Sequence, residues 1–483
     1  MSQPGAVSSA ASPHNDWSRI RPAEPGQSTP PAQVTVCVVG GGDPSAAART
    51  TAALAQQRHP AELLQVVTCA DDNGFVDLVA AATSEIIVRI PAGAVPGPDL
   101  VGALARWPQA DPDAVGLAVP ARFGGTVPEP EMVAAHASAG TLGQLFAGSA
   151  VDAGLTRRLE ATHQLRTADH TAFLTAAGTA FAFHRSRYRP GTDPYQGADV
   201  EVAYRLAQAG AVFVPEPTAS LWTLVPTDPA GDDRQARAAL TDLLPYPRQH
   251  RDRPGRTWQV PLICAMVPVD QPYEVVRACV DRLLASDERD LQVALVADWA
   301  AAGPTGGGDQ PDDLRLLAAE YRHEPRVRLV DTAPASAYPS PYLLRVPARL
   351  GVGRRTVGAV TAAMEKWRCG LLRVLPAGAG SATYAVELWS TAARCRATNA
   401  GTAEDALVEA VAASHGQRWE TGSEFDVVDL ATAGPGAADA TTTAAPRRAA
   451  KTVPVGGARS LGRATVFVAR QYARGVRRRL VSR

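Results

Sequence analysis

The chain is predicted to fold as α/β, with two Rossmann-like, mostly parallel sheets in tandem, and three observations predict it. An apolar strand ending in glycines, VTVCVVGGG, leads through an alanine-rich helical segment from Ser45 to about Gln57 into a second strand, LLQVVTCADD. A strand, crossover and strand of this kind makes a parallel pair whose functional loops lie at the C-terminal ends of the strands. The same order returns in the second half as VPLICAMVPVD, PYEVVRACVDRLLAS and LQVALVAD, ending at Asp298. Downstream, SPYLLRVPARLGVGRRTVGAV overlays SEIIVRIPAGAVPGPDLVGAL with Ser, Arg, Pro and Ala coinciding. A repeat whose period lies well above about 50 residues marks two similar domains rather than a solenoid.

Composition bounds the partners. The 483 residues are 46% hydrophobic, enough for two large cores. Lys plus Arg and Asp plus Glu both number 48, so the formal net charge is zero and there is no general electrostatic case for nucleic acid. The cysteines, Cys37, Cys69, Cys264, Cys279, Cys369 and Cys395, form no CxxC pair and have no histidine at metal-ligand spacing. They are expected to be reduced core thiols in a cytoplasmic protein. Residues 1–31 are rich in Pro, Ser, Ala and Gly without the apolar run of a signal peptide, and a disordered arm is predicted there. No apolar run approaches the roughly 20 residues that span a bilayer. The predicted domains are 32–245 and 258–432, separated by the Arg- and Pro-rich joint YPRQHRDRPGRT. A low-complexity Ala, Thr, Gly and Pro linker follows over 433–458.

The most informative stretch of the first domain is GADVEVAYRLAQAGAVFVPEPTASLWTL, from Gly197 to Leu224. Val200, Ala203, Tyr204, Leu206 and Ala207 gather on one helical face, Gly210 stops the helix, and Val212 to Val214 form a strand closed by Pro215 and Pro217. Asp199 and Glu201 are thereby left at a helix N-terminus, where negative charge is favoured. An acidic helix cap accounts for the same pattern. The order Gly197, Asp199, Glu201, Tyr204, Arg205, Leu206, Ala209, Gly210 and Pro215 resembles a segment of the family 2 glycosyltransferases, which have the GT-A fold. That resemblance implies that the acidic pair, Asp199 foremost and Glu201 with it, supplies the base that deprotonates an acceptor hydroxyl. Ala198 stands where the family usually has a further acid.

The same resemblance assigns Asp71 and Asp72, in the turn after the second strand, to the base and ribose of a nucleotide. An Asp-Asn-Gly turn also forms without any ligand. SEIIVRIPAGAVPGPDLVGAL has the shape of the family's metal-motif strand, but Pro91, Ala92 and Gly93 replace the Asp-x-Asp, and Pro347, Ala348 and Arg349 do so in the second half. None of the first three offers a side-chain ligand to a divalent cation, so no metal or other cofactor is expected. Arg89, on the same side of its strand as Pro91, can neutralise part of a diphosphate's charge; its stem covering the sheet while its head reaches water is the plainer reading. His184, at the end of AAGTAFAFH, is either a substrate contact or a surface residue. Glu404 and Asp405 are the eroded counterpart of the Asp199 region.

The implied function is transfer of a sugar, with inversion, from a nucleotide sugar to a cell-envelope, polysaccharide or lipid-linked acceptor. A non-catalytic glycosyltransferase-like scaffold of a cell-wall glycan machinery is the alternative. The last segment, 459–483, has eight arginines and no acidic residue. Leu461, Val468, Tyr472, Val476 and Leu480 mark one apolar stripe flanked by Arg470, Arg474, Arg477 and Arg478, so a basic amphipathic helix is predicted. Such a helix suits the anionic inner face of the plasma membrane; docking on the protein's own surface, or a solvated arm, fits the same pattern. The membrane reading predicts that the full chain co-sediments with anionic vesicles and that a chain ending at Gly457 does not. Equal behaviour of the two discards it.

Overall fold

The computed structural model describes residues 14–22, 30–40, 43–191, 197–224, 240–246, 248, 256–302, 309–377 and 384–433, so the linker and the basic helix predicted after them lie outside the described residues. The chain divides into a unit ending at Pro247 and a unit beginning at Arg248. The first contains β1 (Val34–Val39), α1 (Pro44–Leu54), β2 (Leu64–Cys69), α2 (Asp72–Ala81), β3 (Ile86–Pro91), β4 (Val95–Pro96) and α3 (Leu100–Ala110). It continues with β5 (Ala114–Ala118), β6 (Ala121–Phe123), α4 (Pro130–Ser138), α5 (Leu142–Leu145), β7 (Ala150–Val151), α6 (Ala153–Ala161), β8 (Phe181–His184), α7 (Asp199–Gln208), β9 (Val212–Glu216) and β10 (Leu221–Leu224). The main sheet has the order β2-β1-β3-β8-β5-β9, with β8 antiparallel to its neighbours and the other pairs parallel.

Strand alternation sorts this sheet into two faces. Val34, Val36 and Val38 of β1 and Ile86, Val88 and Ile90 of β3 pack with Leu54 of α1 and with Leu100, Val101 and Leu104 of α3. Each such burial stabilises the fold by about 1.5–3 kcal/mol. Ile87 and Arg89 face the other way. That side holds the fully buried Phe75, Phe181 and Phe183, with Phe75 edge-on to Phe183 at 6.5 Å.

The second unit contains β11 (Ile263–Pro268), β12 (Leu291–Val296), β13 (Val327–Val330), β14 (Tyr342–Arg345), β15 (Leu350–Val352), β16 (Leu371–Leu375), β17 (Val386–Ser390), β18 (Gln417–Thr421) and β19 (Val427–Asp429). Its main sheet has the order β13-β12-β11-β14-β17-β16-β18, with β17 antiparallel to both neighbours. With β13 set aside, the six remaining strands repeat the order and sense of the first unit's sheet. The register agrees as well. Val34 lies opposite Leu64 and Ile86, and Ile263 lies opposite Leu291 and Tyr342, which puts Arg89 and Arg345 at equivalent positions. Among the described residues no helix is long and apolar enough to cross a membrane.

The prediction of a disordered arm over 1–31 needs correction at residues 14–22. The buried Asn15 donates its amide to the carbonyls of Leu165 and Phe213, and accepts from the Phe213 N–H at 2.8 Å. It thereby satisfies backbone groups on β9, at the edge of the sheet. Trp17 meets Trp107 edge-on at 5.7 Å, and Ile20 is buried. Composition favoured disorder, but an asparagine and two apolar anchors, Trp17 and Ile20, suffice to seat this short segment on an open strand edge.

Glu216 ends β9 fully buried. Its Oε2 accepts from Arg106 and, at 2.9 Å, from Trp107 Nε1, while Oε1 accepts from the Thr218 N–H and hydroxyl. Burial alone would raise its pKa, but the bonds from Thr218, Trp107 and Arg106 outweigh it and hold the carboxyl below the ordinary 4.5. A depressed carboxylate stabilises the fold above its unfolded pKa and loses that contribution as pH falls through the folded value. Glu216→Gln is therefore expected to cost on the order of 2–3 kcal/mol at pH 7, as loss of one partner of a buried pair does, with Arg106 able to turn toward water. Urea unfolding repeated at pH 4 and below should show the gap between the two proteins narrowing.

Candidate functional site

The predicted site residues of the first unit converge at the C-terminal edge of β1, β2 and β3. Asp71 caps α2 by accepting the Gly74 N–H at 2.8 Å, so its turn is accounted for by the helix it starts, and it stays exposed. Asp72, the first residue of α2, is half-buried. Arg89, on β3, is only 4% exposed and therefore does not send its head into bulk water. Instead its guanidinium donates to Asp72 Oδ1 at 2.8 Å and to the Gly197 carbonyl at 3.2 Å, and lies over the Phe75 ring at 5.4 Å. Its buried Nε has no partner.

Gly197 is the corner where the chain enters α7. Its φ is +98°, and a Cβ there would stand 2.0 Å from the Asp72 carbonyl oxygen. Only glycine lets the two helix entries approach this closely. Glu201, in the first turn of α7, is 1% exposed; it accepts the Gly197 N–H at 3.0 Å through Oε2 and pairs with Arg205 through Oε1. Both oxygens are occupied inside the protein. In this position Glu201 clamps the Gly197 corner, and the geometry distinguishes it from its partner in the expected catalytic pair.

Asp199 has a different setting. It is partly exposed, its Oδ2 accepts the Gly178 N–H from the turn before β8, and its Oδ1 accepts the N–H of Val200. Burial raises the pKa of Asp72, Arg89 opposes that rise, and the negative charge of Asp199 adds to it. The two carboxylates therefore feel one another at the mouth of the site. Gly178 was not singled out from the sequence, although the glycine before β8 was visible as a signal. Cys37 and Cys69, both buried, also lie within electrostatic reach of Arg89, and burial pushes both thiols up.

His184 does not join this group. It lies opposite Ile86, at the far end of β3 from Pro91, and its ring contacts Ser186 and Glu85. Pro91, Ala92 and Gly93 bring no side-chain oxygen, a guanidinium already occupies Asp72, and among the described residues no three His, Cys, Asp or Glu side chains form a ligand group. A shallow recess beside Trp258, Asp290 and Arg326 lies in the second unit at the start of β12, the end away from Asp298.

In that unit the residue equivalent to Arg89 meets an acid from another element. Arg345 donates to Glu404 at 3.3 Å, and Arg394 pairs with the same carboxylate oxygen. Glu404 opens a short 3-10 turn before the helix Leu407–His415 and β18, the place that α7 and β9 have in the first unit. The hydrogen bond from Arg394 is the main cause that holds its carboxyl below the usual range. Asp298, after β12, is exposed.

No family model and no curated protein matches the chain. Among solved structures it is similar to GalNAc-T7 with UDP, GalNAc and Mn2+, at 12% identity and a TM-score of 0.27, over 41% of this chain and 45% of that one. It is also similar to S. aureus TarS 1–349 in complex with UDP, at 12% identity and a TM-score of 0.24, over 32% of this chain and 57% of the other. With UDP-GlcNAc bound, TarS 1–349 gives the same identity and score over 32% and 55%. The chain thus spans about half the length of these proteins.

The Gly197 corner predicts a specific sensitivity. Gly197→Ala should lower the thermal midpoint by several degrees, since left-handed strain costs on the order of 1–3 kcal/mol before the clash with Asp72 is added. Gly143→Ala, in α5 with open space around the new methyl, is the control and should leave the midpoint nearly unchanged. Equal melting of the two variants would show that the corner is not strained.

Proposed function

We propose that the first unit is a GT-A-like glycosyltransferase site of the family 2 type, using a nucleotide sugar and an acceptor hydroxyl. The observation that carries this reading is the contrast within the acidic helix entry: Glu201 is used up inside, whereas Asp199 is oriented by the Gly178 N–H and left within reach of solvent. Parallel strands present ligands at their C-terminal ends, where Asp71, Asp72 and Arg89 also lie. Asp71 and Asp72 would face the nucleoside.

In the reaction proposed, Asp199 takes the proton of the acceptor hydroxyl as that oxygen forms its bond to the anomeric carbon. The bond from that carbon to the nucleoside diphosphate breaks, and the diphosphate leaves with the electron pair, giving inversion. Arg89 supplies fixed positive charge beneath Asp72, so nucleotide binding is taken to be independent of a divalent cation. The matching strand order and register of the two main sheets support a tandem pair of such domains. For the second unit the scaffold reading is favoured, because Glu404 is tied to two arginines and is a poor base. A cytoplasmic protein held at the inner membrane face by its basic 459–483 segment would stand beside lipid-linked acceptors of cell-wall or polysaccharide synthesis.

The test joins binding to turnover. UDP-sugars and other nucleotide sugars, added with EDTA present, should raise the thermal midpoint, since a ligand of the folded state stabilises it. Asp199→Asn should keep that rise but lose sugar transfer by about 10² to 10⁴, the usual contribution of a positioned base. Transfer at the wild-type rate by a folded Asp199→Asn protein removes Asp199 from the mechanism, and loss of the thermal rise on chelation alone means that a metal is used.

A further inference from the structure

We propose that the second unit carries an anion site for a phosphate or diphosphate group, built from Arg345 and Arg394, in which Glu404 is an internal occupant that the external anion replaces. The inference concerns the second unit alone and stands whether or not the first unit transfers sugars.

Arg394 is 3% exposed in its side chain, and its Nε is fixed by the Ala335 carbonyl at 2.8 Å, so the guanidinium is held in place before any ligand arrives. Arg345 stands at the C-terminal end of β14, the edge at which open parallel sheets receive ligands. The two guanidiniums lie 5.4 and 5.7 Å from the ring of the same buried residue, Trp389, and both donate to the same oxygen of Glu404. Charge and donors are both in excess there. The one carboxylate that pairs with these two guanidiniums is Glu404, since Glu387, across from Arg345 on β17, is bonded by Arg373 and Trp389, and the buried Nε of Arg345 has no partner. A phosphate brings about two charges and three acceptor oxygens, which matches what one carboxylate oxygen leaves unmet.

The occupant is also the least anchored member of the cluster. Glu404 begins a three-residue turn with no side-chain cap, and its side chain is 64% exposed, so the carboxylate can swing into water without disturbing a packed element. Arg394, buried and tied to the Ala335 carbonyl, cannot follow it. Arg394 would then be left as a buried charge without an anion, which is the condition under which an outside anion binds best.

Isothermal titration of the full chain with inorganic pyrophosphate at low ionic strength tests this. Glu404→Gln is expected to bind pyrophosphate at least tenfold more tightly than the unaltered protein. Glu404→Gln combined with Arg345→Met should lose the gain, whereas any binding in the first unit is common to all three proteins and cancels. UDP as a second probe separates the sources: tighter binding than pyrophosphate supports a nucleoside diphosphate, equal binding supports the free anion, and either supports the site. No gain in a folded Glu404→Gln protein overturns the proposal, and so does a gain that survives Arg345→Met. If Glu404→Gln does not fold, Glu404→Asp, which withdraws the carboxylate by one methylene, should give a smaller gain, and affinity equal to the unaltered protein overturns the proposal.

Discussion

A guanidinium kept out of water must be surrounded by acceptors, and the first unit is arranged around that requirement at Arg89. Its strand is buried on both faces, so the side chain cannot escape along the sheet surface. The acceptors come from two elements far apart in sequence: the Asp72 carboxylate at the start of α2 and the Gly197 carbonyl at the start of α7. One cation therefore fixes the distance between the two helix entries. Asp199 follows two residues after Gly197, so its position descends from that pairing.

The buried polar groups around this corner are nearly all accounted for. Glu201 returns to the Gly197 N–H, Arg205 neutralises Glu201, and Gly178 orients Asp199. Such networks hold one arrangement because a partly satisfied alternative leaves a charge in low dielectric. The unmet donor in this network is the Arg89 Nε. The acidic cluster is thus tied down on its inner side, while Asp199 stays partly exposed.

The second unit treats the same strand position differently. Arg345 is partly exposed where Arg89 is buried, and its acid comes from the turn before the helix rather than from the turn after β12. Two arginines on one carboxylate suppress basicity, so the same topology yields an acid that is neutralised in one unit and available in the other. β13, added outside β12, covers an edge that, among the described residues, has no further strand at β2 in the first unit, where Val66 is exposed.

The sequence by itself determined the α/β class, the strands carrying VTVCVV, IIVRIP and their later counterparts, and the glycine-acid-acid order at the entry to α7. These are local signals: apolar runs bounded by glycine and proline, and charge placed at a helix start, act over a few residues and survive reading one position at a time. What the sequence did not decide was which acid is available. Asp199 and Glu201 differ in sequence only by a methylene and two positions, and it is the turn of the helix that sends Glu201 inward to Arg205 and leaves Asp199 at the mouth. The same holds for Arg89, whose partners lie 17 and 108 residues away, and for the arm around Asn15, whose acceptor on Phe213 is 198 residues distant. Desolvation and pairing are properties of the whole enclosure around a side chain, so only the tertiary structure could assign them.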